Sequence, residues 1–141
     1  LIKFEVLGDP VAQGRPRASS YGGKITMRDP KKSKEYKQYV KLAAAQYAPA
    51  QLLDEPLHLI VKVFRPIPKS FSKKKTQEAI TGVLRPITKP DTDNYLKGVK
   101  DALNGVIWRD DSIIVDTSVS KYYSDKPRIE VEVYTLEEMG A

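Results

Sequence analysis

The 141-residue sequence contains no cysteine, which excludes a disulfide framework, a thiolate zinc site and a cysteine nucleophile. That absence fits a reducing compartment. No apolar run approaches the ~18 residues of a membrane-spanning helix. No charged-then-apolar stretch opens the chain as a secretion signal would. Internal repeats and low-complexity tracts are also missing. Gly22-Gly23 is followed by no Gly-Lys-Ser/Thr, so it is not a phosphate-cradling loop. The chain opens on Leu1, and its numbering is read as beginning after a lost start.

What is present is an ordinary water-facing balance, 40% hydrophobic and 30% charged residues in 15.9 kDa. That is room for one domain, residues 1–141, able to bury a core without staples. The net charge of +6 is unevenly laid out. Residues 1–90 carry 18 Lys/Arg against 7 Asp/Glu, whereas residues 91–141 carry 6 against 11. A basic stretch followed by an acidic one suits a protein that attracts a polyanion and keeps carboxylates for another task. An unevenly charged solvated surface would read the same way.

Ile2 to Leu7 alternates apolar and polar residues and stops at Gly8-Asp9-Pro10, the pattern of a strand. Tyr21-Gly22-Gly23-Lys24 suggests a hairpin turn. Asp29-Pro30 supplies an N-cap and a first-turn proline for an amphipathic helix over about 30–48, with Tyr36, Tyr39, Val40, Ala43 and Tyr47 at core spacing. Leu57 to Phe64 is the strongest strand, and His58 within it is read as packed. Ser72 can cap a short helix that opens on Lys73, Lys74 and Lys75, against the helix dipole. A second amphipathic helix starts near Asp93, with Leu96, Val99, Leu103 and Val106 as its apolar stripe and Gly105 as its stop. Two strands follow, Ile113 to Val119 and Arg128 to Tyr134. The turn at Ser124-Asp125-Lys126-Pro127 predicts that they pair with each other.

The chemistry is concentrated in Lys89-Pro90-Asp91-Thr92-Asp93-Asn94-Tyr95-Leu96-Lys97. Pro90 keeps Lys89 out of the helix, which places Asp91 near the helix entrance. Asp93, Lys97 and Asp101 follow at four-residue steps on one face, with Asn104 beyond. Carboxylates gathered at short range suit a hard cation such as Mg²⁺, which takes one or two of them and completes its shell with water and phosphate. Helix capping by Asp91 and Asp93, and an ion pair for Lys97 with Asp93 or Asp101, explain the same residues without a metal. Asp110-Asp111 adds a second acidic pair after a short turn. Adjacent residues in extended chain point oppositely, so one of the two is expected to join the first cluster, unless the pair is an ordinary polar turn.

Taken together, that run, Asp101-Ala102-Leu103-Asn104-Gly105 and Asp110-Asp111-Ser112 resemble the RusA family of Holliday junction resolvases. The motif block covers about residues 86–123, and the order of elements is loosely similar over the whole chain. At Ile113 the chain departs from the glutamine often found in that family. The resemblance implies an α+β fold with a small mixed sheet packed with helices, assembled as a homodimer. It implies Asp91, Asp93 and Asp111 as magnesium ligands, with manganese able to stand in, and Lys97 as the catalytic cation. It further implies a cytoplasmic bacterial or phage-derived enzyme, nucleoid-associated and without a membrane, that cuts symmetric strands of four-way DNA junctions in recombination and repair.

Phosphate contacts are expected from the basic half, at Arg15, Arg17, Lys73, Lys74 and Lys75. A dimer interface is expected to draw on Ile113–Val119 and Arg128–Tyr134. Two other readings stay open: a basic nucleic-acid-binding module without catalysis, and a metal-dependent nuclease of flaps or forks.

Overall fold

The computed structural model describes residues 1–13 and 31–140 in full, and residues 17–21 and 24–28 as backbone. The elements run β1 (Ile2–Leu7), β2 (Arg17–Tyr21), β3 (Lys24–Arg28), α1 (Lys31–Ala45), β4 (Leu57–Pro66), α2 (Lys73–Ile80), α3 (Thr92–Leu103), a 3-10 turn (Asp111–Ile113), β5 (Ile114–Ser124), β6 (Arg128–Thr135) and α4 (Leu136–Gly140). This is an α+β arrangement. β2 and β3 pair antiparallel, as the sequence predicts, while the Gly22-Gly23 turn and the Asp29-Pro30 cap lie outside the described residues.

The remaining four strands form one mixed sheet in the order β1-β6-β4-β5. β4 occupies the interior because it is apolar nearly throughout. Leu57, Leu59, Val61 and Val63 are fully buried, and Ile60 and Phe64 on the opposite face are half-buried. β6 flanks it antiparallel and β5 flanks it parallel. The predicted β5–β6 hairpin therefore does not form: β4 lies between its two arms. β5, whose first half is largely exposed, takes the edge. The link at 125–127 steps over the end of β4, a gap of about 10 Å that three or four extended residues span. Arg128 ties this link down, donating from Nη1 to Lys126 O at 2.9 Å and Ser124 Oγ at 3.2 Å.

α1 and α3 pack on each other and cover the sheet face that carries Phe4, Val6, Leu59, Val61, Ile129, Val131 and Val133. α3 turns Tyr95, Gly98, Val99, Ala102 and Leu103 inward. Its buried face thus lies about one residue ahead of the expected stripe, leaving Leu96 and Val106 partly buried at its margin. α1 buries Ser33, Val40 and Ala44 and half-buries Tyr36. Tyr39 and Tyr47 are 47% and 48% exposed, so they are not core residues as their spacing suggested. α1 ends at Ala45, which takes Tyr47 out of helical register, although its ring still stacks on Phe4. His58 is half-buried on the open sheet face, its Nδ1 3.9 Å from an Asp116 carboxylate oxygen on β5.

β6 spends Ile129, Val131 and Val133 inside this core, so Arg128–Tyr134 has no apolar stripe left for an interface. The open face instead carries a stacked row. Arg85 lies 4.0 Å over the Tyr122 ring, Tyr122 stacks on Phe64, and Arg128 lies 3.9 Å over Phe64.

α3 stops where the sequence predicts. Gly105 takes φ +77°, a left-handed conformation that favours glycine, and its N–H bonds Trp108 O. The chain then folds Trp108 under the helix end, fully buried, with its indole N–H donating to Asn104 Oδ1 at 2.6 Å. Asn104 therefore serves the core and not the polar face of α3. Asn104→Ala strands a buried donor and should destabilise the protein by about 1–3 kcal/mol. Urea unfolding checks this, and the same change made beside Trp108→Phe should be nearly neutral.

Candidate active site

The parallel β4–β5 pair needs a crossover, and α2, the linker 81–90 and α3 provide it. The linker is fixed by cations from both strands. Arg85 Nε donates to Lys121 O at 2.9 Å, while Arg65 Nη1 and Lys121 Nζ both donate to Thr88 O at 3.0 Å. Lys121 Nζ also reaches Pro90 O at 3.1 Å. The entrance of α3 is thereby held beside the C-terminal ends of β4 and β5. Arg65 and Lys121 were missed in the sequence. Arg65, next to Pro66 at a strand end, carried a weak signal, whereas Lys121 lay beyond the predicted strand end at Val119 and carried none; β5 runs on to Ser124.

Asp91 stands at the N-cap of α3 with extended backbone, and its carboxylate makes no capping hydrogen bond. Ser72 behaves differently: its Oγ accepts from Lys75 N at 3.2 Å and caps α2 as expected. Asp93 is exposed in the first turn of α3. Lys97 is 66% exposed, and its Nζ lies 3.7 Å from Asp101 Oδ2, so of the two ion pairs weighed the structure has the one with Asp101. Gln13 N donates to Asn94 O at 3.0 Å and anchors the helix start to the segment after β1. Tyr95 is buried and Tyr36 half-buried behind this face, and burial raises both phenols above their usual range. They stay neutral near pH 7 and supply no base.

Asp110 and Asp111 divide. Asp110 caps the 3-10 turn by accepting from Ser112 N at 3.0 Å, and the Ser112 side-chain and backbone donors hold its carboxyl below the ordinary range. Asp111 makes no such cap, but it does not reach Asp91 and Asp93. β5 starts beside the C-terminal end of α3, next to Asn104 and Trp108, and runs back until Lys121 meets Pro90. Twelve helical residues rise about 18 Å, and Ile114 to Lys121 spans about 23 Å, so Asp111 sits at the far end of the helix from Asp91. Among the described residues, no three His, Cys, Asp or Glu side chains are grouped to hold a metal. The short connection that seemed to favour their meeting within one chain carries the strand away instead. Asp91 and Asp93 alone still fit a hard cation that shares its shell with phosphate, because such an ion needs only one or two carboxylates.

Of the expected phosphate contacts, Lys73, Lys74 and Lys75 are exposed on the first turn of α2. Lys75 Nζ lies 5.6 Å from the centre of the Phe71 ring, and that ring meets Tyr123 of β5 edge-on. Arg15 and the side chain of Arg17 lie outside the described residues. A cleft of about 540 Å³ separates Phe71 and Tyr123 from the α3 entrance, with Lys32, Arg65, Thr88 and Pro90 on its walls. No helix among the described residues is long and apolar enough to cross a membrane.

Compared with protein families, residues 8–134 match the one described as Endodeoxyribonuclease RusA. The chain is also 59% identical over 134 residues to "Uncharacterized protein YqaN" of Bacillus subtilis (strain 168), which covers 94% of each chain.

The contrast between the two caps is measurable in the isolated protein. Ser72→Ala removes a cap bond and should cost about 1 kcal/mol of unfolding free energy. Asp91→Ala forgoes only the helix-dipole attraction, about 0.3–0.5 kcal/mol at an exposed site. Urea unfolding in chelator tests the order. A larger loss at Asp91 would show that its carboxylate is spent on capping.

Proposed function

Because the chain belongs to the RusA endodeoxyribonuclease family, we propose that it is a magnesium-dependent endonuclease that resolves four-way DNA junctions by paired, symmetric nicks. The observation that carries this reading is Asp91. It occupies a capping position, is withheld from capping, and stands two residues from Asp93 at an exposed helix entrance beside a basic, aromatic cleft. Residues 1–141 act as one endonuclease domain in the cytoplasm, in recombination or repair.

Asp91 and Asp93 would hold the Mg²⁺. When bound, the ion neutralises charge on the scissile phosphate and makes water a better nucleophile. Lys97, one turn along α3 from Asp93 and paired with Asp101 in the free protein, would swing from that exposed pair to stabilise the negative charge that builds on the phosphate oxygens. The wall cations Lys32 and Arg65, with Lys73, Lys74 and Lys75, hold the backbone around the cleft. The neutral tyrosines behind α3 contribute packing and exclude water from the helix underside.

Resolving a four-way junction takes two nicks on opposed strands, and a closed two-fold homodimer is the simplest assembly that offers two sites. The placement of Asp111 supports the same assembly. A carboxylate at the wrong end of α3 for its own site is available to the site of a second copy.

Incubating the protein with a labelled four-way junction, with and without Mg²⁺, tests the proposal. Paired nicks are expected in Mg²⁺ only, and Asp91→Asn or Asp111→Asn should each reduce cleavage at least 100-fold while junction binding persists. Mixing the two inactive variants should restore cleavage at one site, because one of the two shared sites then contains only native carboxylates. Cleavage of flaps or forks without junction cleavage would overturn the substrate. Mixed variants that stay inactive would overturn the sharing of Asp111.

A further inference from the structure

A second cavity of about 400 Å³ lies between α1 and α3, lined by Lys34, Lys37, Gln38, Lys41, Asp101 and Ala102. No expectation from the sequence covered it. Ser33, Val40 and Ala44 anchor α1, and they fix which of its side chains stand at the mouth. Lys34, Lys37 and Lys41 follow at steps of three and four, so they share one stripe. α1 carries five lysines and a single acid, Glu35, which lies 3.8 Å from Lys31. Like charges at this spacing repel and weaken the helix by a few tenths of a kcal/mol per pair, a repulsion that a polyanion lying along the row would relieve. Asp101 of the facing helix lines the same groove and lies 3.7 Å from Lys97.

We propose that this groove is a phosphate track that holds one arm of the DNA next to the scissile phosphate. The inference rests on the nuclease reading above and extends it to a surface away from the α3 entrance. Lys34 to Lys41 covers about 10.5 Å of helix axis. Successive phosphates of one strand lie about twice as far apart as their ~3.4 Å axial rise, so a row lying along the strand faces about two of them. The Lys97–Asp101 pair joins the two surfaces, and Asp101 lies about 12 Å along α3 from Asp93. A backbone lying in the groove is thus delivered along the helix toward its N-terminal carboxylates. The contacts are to phosphate alone, so the track contributes affinity and register and reads no sequence.

The test uses the full chain and a fluorescent four-way junction in chelator, where binding proceeds without cleavage. Affinity is measured from 50 to 300 mM salt for the wild type, for Lys34→Gln/Lys41→Gln, and for the charge-matched control Lys3→Gln/Lys126→Gln. The groove variant should lose about tenfold or more in affinity at 100 mM salt. Its log–log salt slope should be shallower by close to 2, about 0.9 for each lost phosphate contact. Lys34→Arg/Lys41→Arg should keep the wild-type slope. Independently of any substitution, junction DNA should protect Lys34 and Lys41 of the wild-type protein from amine acylation. A groove variant whose slope matches the control, or lysines acylated equally with and without DNA, overturns the track. Failure of the wild-type protein to bind the junction at all would instead overturn the nuclease reading on which the track rests.

Discussion

The parallel pairing of β4 with β5 is the constraint on which the rest of the molecule depends. β4 buries Leu57, Leu59, Val61 and Val63 on one face, half-buries Ile60 and Phe64 on the other, and takes the interior of the sheet. With β6 on one side, the remaining edge of β4 is filled by β5 running in the same direction. A parallel neighbour cannot be reached by a hairpin, so the chain between the two strands has to cross over the sheet. That crossover contains α2, the linker and α3, and therefore every residue of the Asp-x-Asp-Asn-x-x-Lys run. Its return point lies beyond the C-terminal ends of the two strands, where Arg65 and Lys121 grip the linker carbonyls. In open sheets with parallel strands, ligands commonly bind at that end. The candidate site follows from strand order before any acidic residue is considered.

The same constraint separates the carboxylates. α3 and β5 are consecutive and run in opposite directions, so the chain leaves α3 at the end far from its entrance. Asp110 and Asp111 are close in sequence to the helix and distant in space from its entrance. Asp110 is fully explained by the turn it caps. Asp91 holds a cap position without making the bond, and Asp111 sits in a turn that a neighbouring aspartate already caps. Two carboxylates without a structural task, at opposite ends of one helix, are poorly matched to a single chain. In the homodimer proposed above, a two-fold axis could bring one chain's Asp111 to the other chain's Asp91.

Much of this was legible in the sequence because it is local. The alternation of Ile2 to Leu7, the run Leu57 to Phe64, the Ser72 cap and the Gly105 stop each depend on residues within a turn or a strand of one another. Each formed as read. The strand order was not legible. Arg128 to Tyr134 alternates equally well beside β5 or beside β4, and the competition is decided by how much apolar surface β4 offers to both neighbours. The position of Asp111 was lost with it, because sequence distance gives proximity without direction. Tyr39 misled for a smaller reason, since a three- or four-residue step marks a helix face about 100° wide and residues at its margin stay half-exposed, while Tyr47 lies past the end of α1 at Ala45.

The opposed charges of the two sequence halves acquire their meaning from the packing of α1 on α3. A chain basic up to residue 90 and acidic after it could have formed a molecule with two charged poles. Instead the most basic helix lies against the helix that carries Asp93 and Asp101, so lysines and carboxylates meet along one seam. A phosphate strand is drawn to the lysines and repelled by the aspartates. Both forces act within a Debye length of about 8–10 Å. In the proposed track the strand would settle where the lysine row dominates and meet the carboxylates only at the end of the seam, where the proposed divalent cation would offset their charge. On the function proposed above, DNA affinity would belong mainly to α1 and α2, and metal dependence to the entrance of α3.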